Sequence, residues 1–243
     1  MRAILTMHSI DESGSAISLS PTELEGLLDG IARSGHRIVP LSELLARPGV
    51  PDQVAITFDD GLASVVEEAL PILARRGLVA TVFVVTGYLG RTNDWPGQPT
   101  DAPRLPMMGW EEMEALTEAG WEVGSHTVSH PDLTGLSPDG LEPEIQTAAE
   151  TIRRRLGVAP QTMAYPYGKA NRAVMEAAGK QHRWALGTRL AALDPSVDHP
   201  LELPRLDAYY LRESWTHGLF GGPLLGAWLA GRRRLRAVRG ALR

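Results

Sequence analysis

Gln53-Val54-Ala55-Ile56-Thr57-Phe58-Asp59-Asp60-Gly61 sets an apolar, β-branched run against an abrupt polar end. Val, Ile, Thr and Phe fit the pleated surface of a sheet, and the run reads as a buried strand. In open parallel sheets and in barrels alike, chemistry sits at the carboxyl ends of the strands, where Asp59 and Asp60 fall. Neighbouring side chains on a continuing strand point to opposite faces. Both carboxylates can therefore serve one site only if the chain turns, which Gly61 permits. In isolation the segment reads more readily as an Asx-type turn carrying two solvated acids.

Outward from this strand, short apolar runs recur at 2–7, 36–39, 79–85, 121–125, 162–165 and 183–187, with longer amphipathic stretches between them. Ser20 caps a helix that begins with Pro21, places Leu24, Leu27, Leu28 and Ile31 at helical spacing, and stops at Gly35. Further helices are expected over 64–76, 110–119, 138–156 and 170–178, with Gly77, Gly120, Gly157 and Gly179 as left-handed stops. Strand–helix alternation implies a parallel sheet covered by helices. Seven strands in 243 residues point to an α/β fold, a closed and deformed (β/α)7 TIM-like barrel in a single domain.

Composition narrows the chemistry. With 43% hydrophobic and 22% charged residues the chain is ordinary globular protein, long enough to bury a sizeable core. It has no cysteine, so disulfides and thiolate ligands are excluded, and any metal must be held by His, Asp or Glu. The apolar start is broken by His8, Asp11 and Glu12, too early for a signal-peptide core, and no apolar stretch is long enough to span a bilayer. The sequence reads as cytoplasmic. All six residues Arg232, Arg233, Arg234, Arg236, Arg239 and Arg243 lie in 223–243 without an acid, leaving 18 basic against 29 acidic side chains elsewhere. An acidic body argues against a nucleic-acid partner.

Two more segments follow strand-like runs. In Gly124-Ser125-His126-Thr127-Val128-Ser129-His130-Pro131-Asp132-Leu133, histidines four apart share one face of a helical turn and can grip one metal ion, although each could instead pack or cap. Met163-Ala164-Tyr165-Pro166-Tyr167-Gly168 sets Pro and Gly around an aromatic, a rigid wall able to present a backbone N–H to a substrate oxygen.

Together the three segments, in this order, resemble the polysaccharide deacetylase (NodB-homology, carbohydrate esterase family 4) family, from about residue 4 to about residue 208. Ala69-Leu70-Pro71-Ile72-Leu73 and Ala80-Thr81-Val82-Phe83-Val84 add to the likeness. The resemblance implies a catalytic domain over 1–210 that removes acetyl groups from an N-acetylated or O-acetylated sugar or oligosaccharide. It implies Asp59 as base and Asp60, His126 and His130 as ligands of a divalent ion, zinc first, with nickel or cobalt also suited to a two-His, one-Asp site. Pro166 and Tyr167 become substrate-binding residues, with the Tyr167 N–H donating to the oxyanion.

The sequence also departs from that pattern. Ala164 stands where the family carries Arg, and residues 201–207 (LELPRLD) lack the late Leu-x-His motif. Leu5-Thr6-Met7-His8-Ser9-Ile10 resembles the start of permuted members acting on biofilm poly-N-acetylglucosamine, which makes His8 the candidate acid. Arg205 is the candidate replacement for the missing arginine. These departures also suit a catalytically inactive carbohydrate-binding relative, and a hydrolase of non-sugar amides is a further alternative. Trp95, in the Pro-rich loop 91–107, is a candidate sugar-stacking platform. The Arg-rich tail 211–243 is expected to pack its apolar face on the barrel, with peripheral membrane contact the minority alternative.

Overall fold

The side chains of β1 (Arg2–Met7) and β5 (Gln53–Phe58) are all buried, and the two strands pair in parallel over their full length. The computed structural model describes residues 1–98 and 102–241. Residues 99–101 of the long loop, and Leu242 and Arg243 of the tail, lie outside it. Around the β1–β5 pair the chain adds β2 (Ser9–Ile10), β3 (Ser18–Leu19), α1 (Pro21–Arg33), β4 (Arg37–Ile38) and α2 (Leu41–Ala46). It continues with α3 (Leu70–Ala74), β6 (Thr81–Val84), α4 (Trp110–Glu118), β7 (Glu122–Ser125), α5 (Pro138–Leu156) and β8 (Thr162–Ala164). Last come α6 (Arg172–Gly179), β9 (Trp184–Leu186), β10 (Leu206–Asp207), α7 (Ser214–His217) and α8 (Pro223–Ala241).

Apart from β2 and β3, which pair with each other in a separate two-stranded sheet, the strands form one curled parallel sheet in the order β10-β1-β5-β6-β7-β8-β9. One edge of β5 is shared: β4 pairs with its start at Gln53 and Val54, and β6 with its end at Thr57 and Phe58. The two sheet edges are joined through 203–207. Leu203 bridges to Leu186 of β9, and Leu206 and Asp207 pair with Leu5 and Thr6 of β1. The expected deformed barrel is present, closed by a segment too short to read as a strand in the sequence.

Alternation along the strands divides the core. Ala3, Leu5 and Met7 of β1, with Val54, Ile56 and Phe58 of β5, pack outward with Leu24, Leu27, Leu28 and Ile31 of α1. Burying each of those four α1 side chains contributes roughly 1.5–3 kcal/mol. Ile4, Ala55, Phe83, Ala164 and Leu186, one from each of five strands, fill the interior above Leu41 and Leu44 of α2. By the same alternation Thr57 and Asp59 point inward, one and two steps above Ala55.

Ser20 and Glu23 form the reciprocal cap of α1. Two helical expectations need correction. The stretch from Val65 opens as a π-helical turn, with Leu70 N–H bonded to the Val65 carbonyl, before α3. Pro71 has no N–H to continue the ordinary ladder. Gly179 lies inside α6 and is not left-handed, unlike Gly35, Gly77, Gly120 and Gly157. The chain leaves α6 through Lys180 in right-handed turns. In the tail, Leu225 and Leu229 of α8 join the outer core.

Candidate active site

The ladder between β1 and β5 runs one residue past the strand, with Asp59 N–H bonded to the Met7 carbonyl at 2.9 Å. The turn then begins at Asp60 itself (φ 72°) and continues through Gly61 (φ 83°). The second carboxylate is thereby swung to the side already occupied by the first.

Across the sheet, β7 delivers His126. Its Nδ1 lies 2.8 Å from the Ala164 carbonyl, to which it donates, and its Nε2 faces Asp60 Oδ1 at 3.4 Å. His130 Nε2 reaches the same oxygen at 3.5 Å. The expected helical turn between the two histidines is absent. Thr127 and His130 are left-handed (φ 69° and 58°), and an irregular loop performs the convergence. Thr127 Oγ1 accepts from His130 N–H at 3.0 Å, and Glu144 of α5 accepts from Val128 N–H, Ser129 N–H and Ser129 Oγ at 2.9, 2.9 and 2.6 Å. Among the described residues, four of the five non-glycine residues with positive φ, Asp60, Thr127, His130 and Tyr167, belong to this region. Such strain persists where surrounding structure over-determines it, commonly at functional sites.

One ligand atom from each of Asp60, His126 and His130 falls within 4.8 Å of the others, and all three residues are buried. Burial, and then the neighbouring His126, push His130 down to about 3, so its imidazole is neutral, the ligating form. Burial works against ionisation of Asp60, but the His126 hydrogen bond and the surrounding histidines outweigh it and lower its pKa. For His126 burial is likewise outweighed, by Asp60 and Asp59, and its pKa rises. An anionic carboxylate beside two imidazoles suits a borderline divalent cation.

Arg205, brought in between Leu203 and β10, completes the floor. Its Nη1 and Nη2 donate to Asp59 Oδ1 and Oδ2 at 2.6 and 2.7 Å, its Nε to the Gly187 carbonyl at 2.9 Å, and Nη1 also to Thr57 Oγ1 at 3.3 Å. Burial raises the pKa of Asp59, but the guanidinium overrides it and holds the carboxyl well below the usual range. Ala164, the position where the arginine was sought, is part of the interior packing.

His8, half-buried at the end of β1, lines the same cleft of about 170 Å³ as Asp59, Asp60, His126 and His130. Tyr167 forms one wall in a left-handed conformation (φ 57°). Pro166 is buried behind that wall and is not among the lining residues. Trp95 also lines the cleft, yet it is only 2% exposed. Its ring packs on His130 (centroids 4.4 Å apart) and edge-on to Tyr88, so it buttresses a histidine and does not lie open to solvent. Ile17, Gln98 and Thr188 also line the cleft. Gln98 belongs to the loop 91–107, whereas Ile17, Thr188 and Glu144 carried no signal in the sequence, because only tertiary contact brings them to the site.

A family model for polysaccharide deacetylases matches residues 46–183, more than half of the chain. The protein belongs to the polysaccharide deacetylase family. YxkH of Bacillus subtilis (strain 168) is 26% identical over 182 residues, 73% of this chain and 60% of YxkH. The poly-beta-1,6-N-acetyl-D-glucosamine N-deacetylase of Staphylococcus aureus (strain MSSA476) is 27% identical over 170 residues, 63% of this chain and 55% of that protein. The matches span about half to three fifths of the length of these curated relatives. Among solved structures, the Streptococcus pyogenes deacetylase PplD superposes with a TM-score of 0.73 at 22% identity, covering 85% of this chain and 91% of PplD. IcaB from Ammonifex degensii gives 0.71 at 23% identity, covering 89% and 96%. At these identities the two structures establish the fold.

Proposed function

We propose that the protein hydrolyses acetyl groups on an N-acetylated, or O-acetylated, sugar or oligosaccharide, with Asp60, His126 and His130 holding a divalent ion, zinc first, and Asp59 as general base. The observation that carries this reading is the juxtaposition of a buried, arginine-held carboxylate with a two-histidine, one-carboxylate cluster in one cleft. The names of relatives, a chitin deacetylase and a poly-beta-1,6-N-acetyl-D-glucosamine N-deacetylase, support an N-acetylated sugar as substrate. The catalytic unit in this reading is 1–210, with 211–243 as its C-terminal tail.

When bound, the ion supplies Lewis-acid polarisation of the acetyl carbonyl and brings the pKa of water towards about 7. Asp59 accepts the proton of the attacking water on a carboxylate oxygen, while Arg205 fixes the plane of that carboxylate. The Tyr167 N–H donates to the oxygen as it gains negative charge. His8 passes a proton to the departing nitrogen or oxygen from the mouth of the cleft.

The test is acetate release from N-acetylglucosamine oligomers by zinc-loaded wild type and Asp59→Asn side by side, with the metal content of each measured. The expected outcome is equal metal content with turnover reduced on the order of 10²- to 10⁴-fold in the variant. Undiminished turnover in Asp59→Asn removes it as base, and absence of bound metal in wild type overturns the ligand assignment.

A further inference from the structure

The last helix carries a face that the catalytic cleft does not use. α8 turns Leu225 and Leu229 into the core at 2% and 3% exposure, while Leu224 and Leu235 remain 66% and 53% exposed. At about 100° per residue, Leu224, Trp228 and Leu235 fall within a narrow stripe beside the buried face. Trp215 of α7, 57% exposed, widens the stripe, its ring meeting Trp228 edge-on with centroids 4.9 Å apart. Arginines border it on both sides. Arg232 lies on one flank with its guanidinium 4.1 Å from the centre of the Trp228 ring, and the helical rotation puts exposed Arg234 on the other. No carboxylate side chain occurs anywhere in 214–243.

We infer that this face seats on an anionic lipid surface, with α8 lying in the plane of the headgroups. The charge complementarity is that of a cationic segment with no internal acid. An apolar stripe of Leu and Trp edged by arginines is the arrangement by which a helix rests in a bilayer interface, tryptophan at the polar–apolar boundary and guanidinium groups on lipid phosphates. A nucleic-acid footprint needs the cations but has no use for exposed Leu224 and Leu235, and the body of the protein is acidic. No helix among the described residues is long and apolar enough to cross a membrane, so the contact is peripheral.

Deleting α8 would remove Leu225 and Leu229 from the core, so the test uses the full chain with exposed positions changed. Wild type, the triple variant Trp215→Ser/Leu224→Ser/Leu235→Ser, and Arg234→Gln are sedimented with phosphatidylcholine vesicles and with vesicles of equal parts phosphatidylcholine and phosphatidylglycerol. Wild type is expected to bind the mixed vesicles alone, less so at high salt. Arg234→Gln should weaken binding about fivefold and the triple variant at least about tenfold, with unchanged melting temperatures. Failure of wild type to bind the mixed vesicles, equal binding to both kinds, or undiminished binding by the triple variant overturns the inference. So does a wild-type dimer that the triple substitution abolishes, which assigns the face to a second copy of the chain.

Discussion

Replacing Arg205 by Met keeps most of its packing volume and removes its charge. The consequence can be worked from the pair it makes with Asp59, whose side chains are 0% and 5% exposed. Loss of the guanidinium removes two hydrogen bonds to Asp59, one to the Gly187 carbonyl and one to Thr57 Oγ1. The aspartate is left buried with a long contact from Thr6 Oγ1 at 3.5 Å and no guanidinium opposite it. Stranding one member of a buried ion pair costs about 3–5 kcal/mol, mostly the penalty of the uncompensated charge, not the net worth of the pair. For a chain of this size that corresponds to a fall in melting temperature of about 6–20 °C. The same reasoning fixes a second outcome. Asp59→Asn strands the arginine instead, so Arg205→Met/Asp59→Asn, which has no stranded charge, should be more stable than the sum of the single losses by at least about 2 kcal/mol. Urea denaturation of the metal-free proteins measures all four corners of the cycle. A loss under about 1 kcal/mol for Arg205→Met, or additive single losses, would refute the claim that Asp59 depends on this guanidinium.

Glu144→Ala removes the acceptor of three hydrogen bonds that hold the loop between His126 and His130. Zinc affinity measured by competition with a chelator should fall about 10- to 100-fold while thermal unfolding of the metal-free protein changes little, and unchanged affinity counts against the clamp. His182 is buried, with Nδ1 bonded to the Pro160 carbonyl, and burial lowers its pKa to about 4. The unfolded chain, near 6.5, therefore takes up the proton first as pH falls, and stability is lost between about 6.5 and 4 by roughly 3 kcal/mol in total. His182→Asn should flatten that part of the stability–pH profile, and a profile parallel to wild type would contradict the assignment. A Cβ on Gly124 would collide with the Phe83 ring, so Gly124→Ala should destabilise by about 1–3 kcal/mol, with partial recovery on adding Phe83→Leu. No recovery would mean that the clash lies elsewhere.

Local chemistry explains what the sequence made legible. The seven expected strands are present: β1, β5, β6 and β8 are buried along their whole length and β7 and β9 in part, while β4 is a two-residue pair with Arg37 exposed; the start of α1 is written in Ser20, Pro21 and Glu23. Asp59, Asp60, His126 and His130 were found because they cluster within short segments at strand ends, where the topology converges. The rest depends on tertiary placement. Leu203–Asp207 contains Pro204, and its three paired residues are split between Leu203 and Leu206–Asp207, too little periodicity to read as a closing strand. α2 is six residues long and opens after Pro40 without a side-chain cap. The spacing of His126 and His130 suggested helical geometry, but left-handed Thr127 and His130 achieve the same convergence by another route. Trp95 was legible as a loop aromatic, and nothing local showed that His130 would cover it.

Closure through 203–207 also bears on how the chain matures during synthesis. A nascent polypeptide presents Asp59, Asp60, His126 and His130 long before Arg205 emerges. In that interval Asp59 lacks its cation, and the outer edges of β1 and β9 are unpaired, open to strands of neighbouring chains. The same few residues then cap both edges and neutralise the carboxylate. Closure of the half-sheet and assembly of the cleft thus depend on the same segment, so a chain with a completed cleft is also one in which the outer edges of β1 and β9 are covered at 203–207.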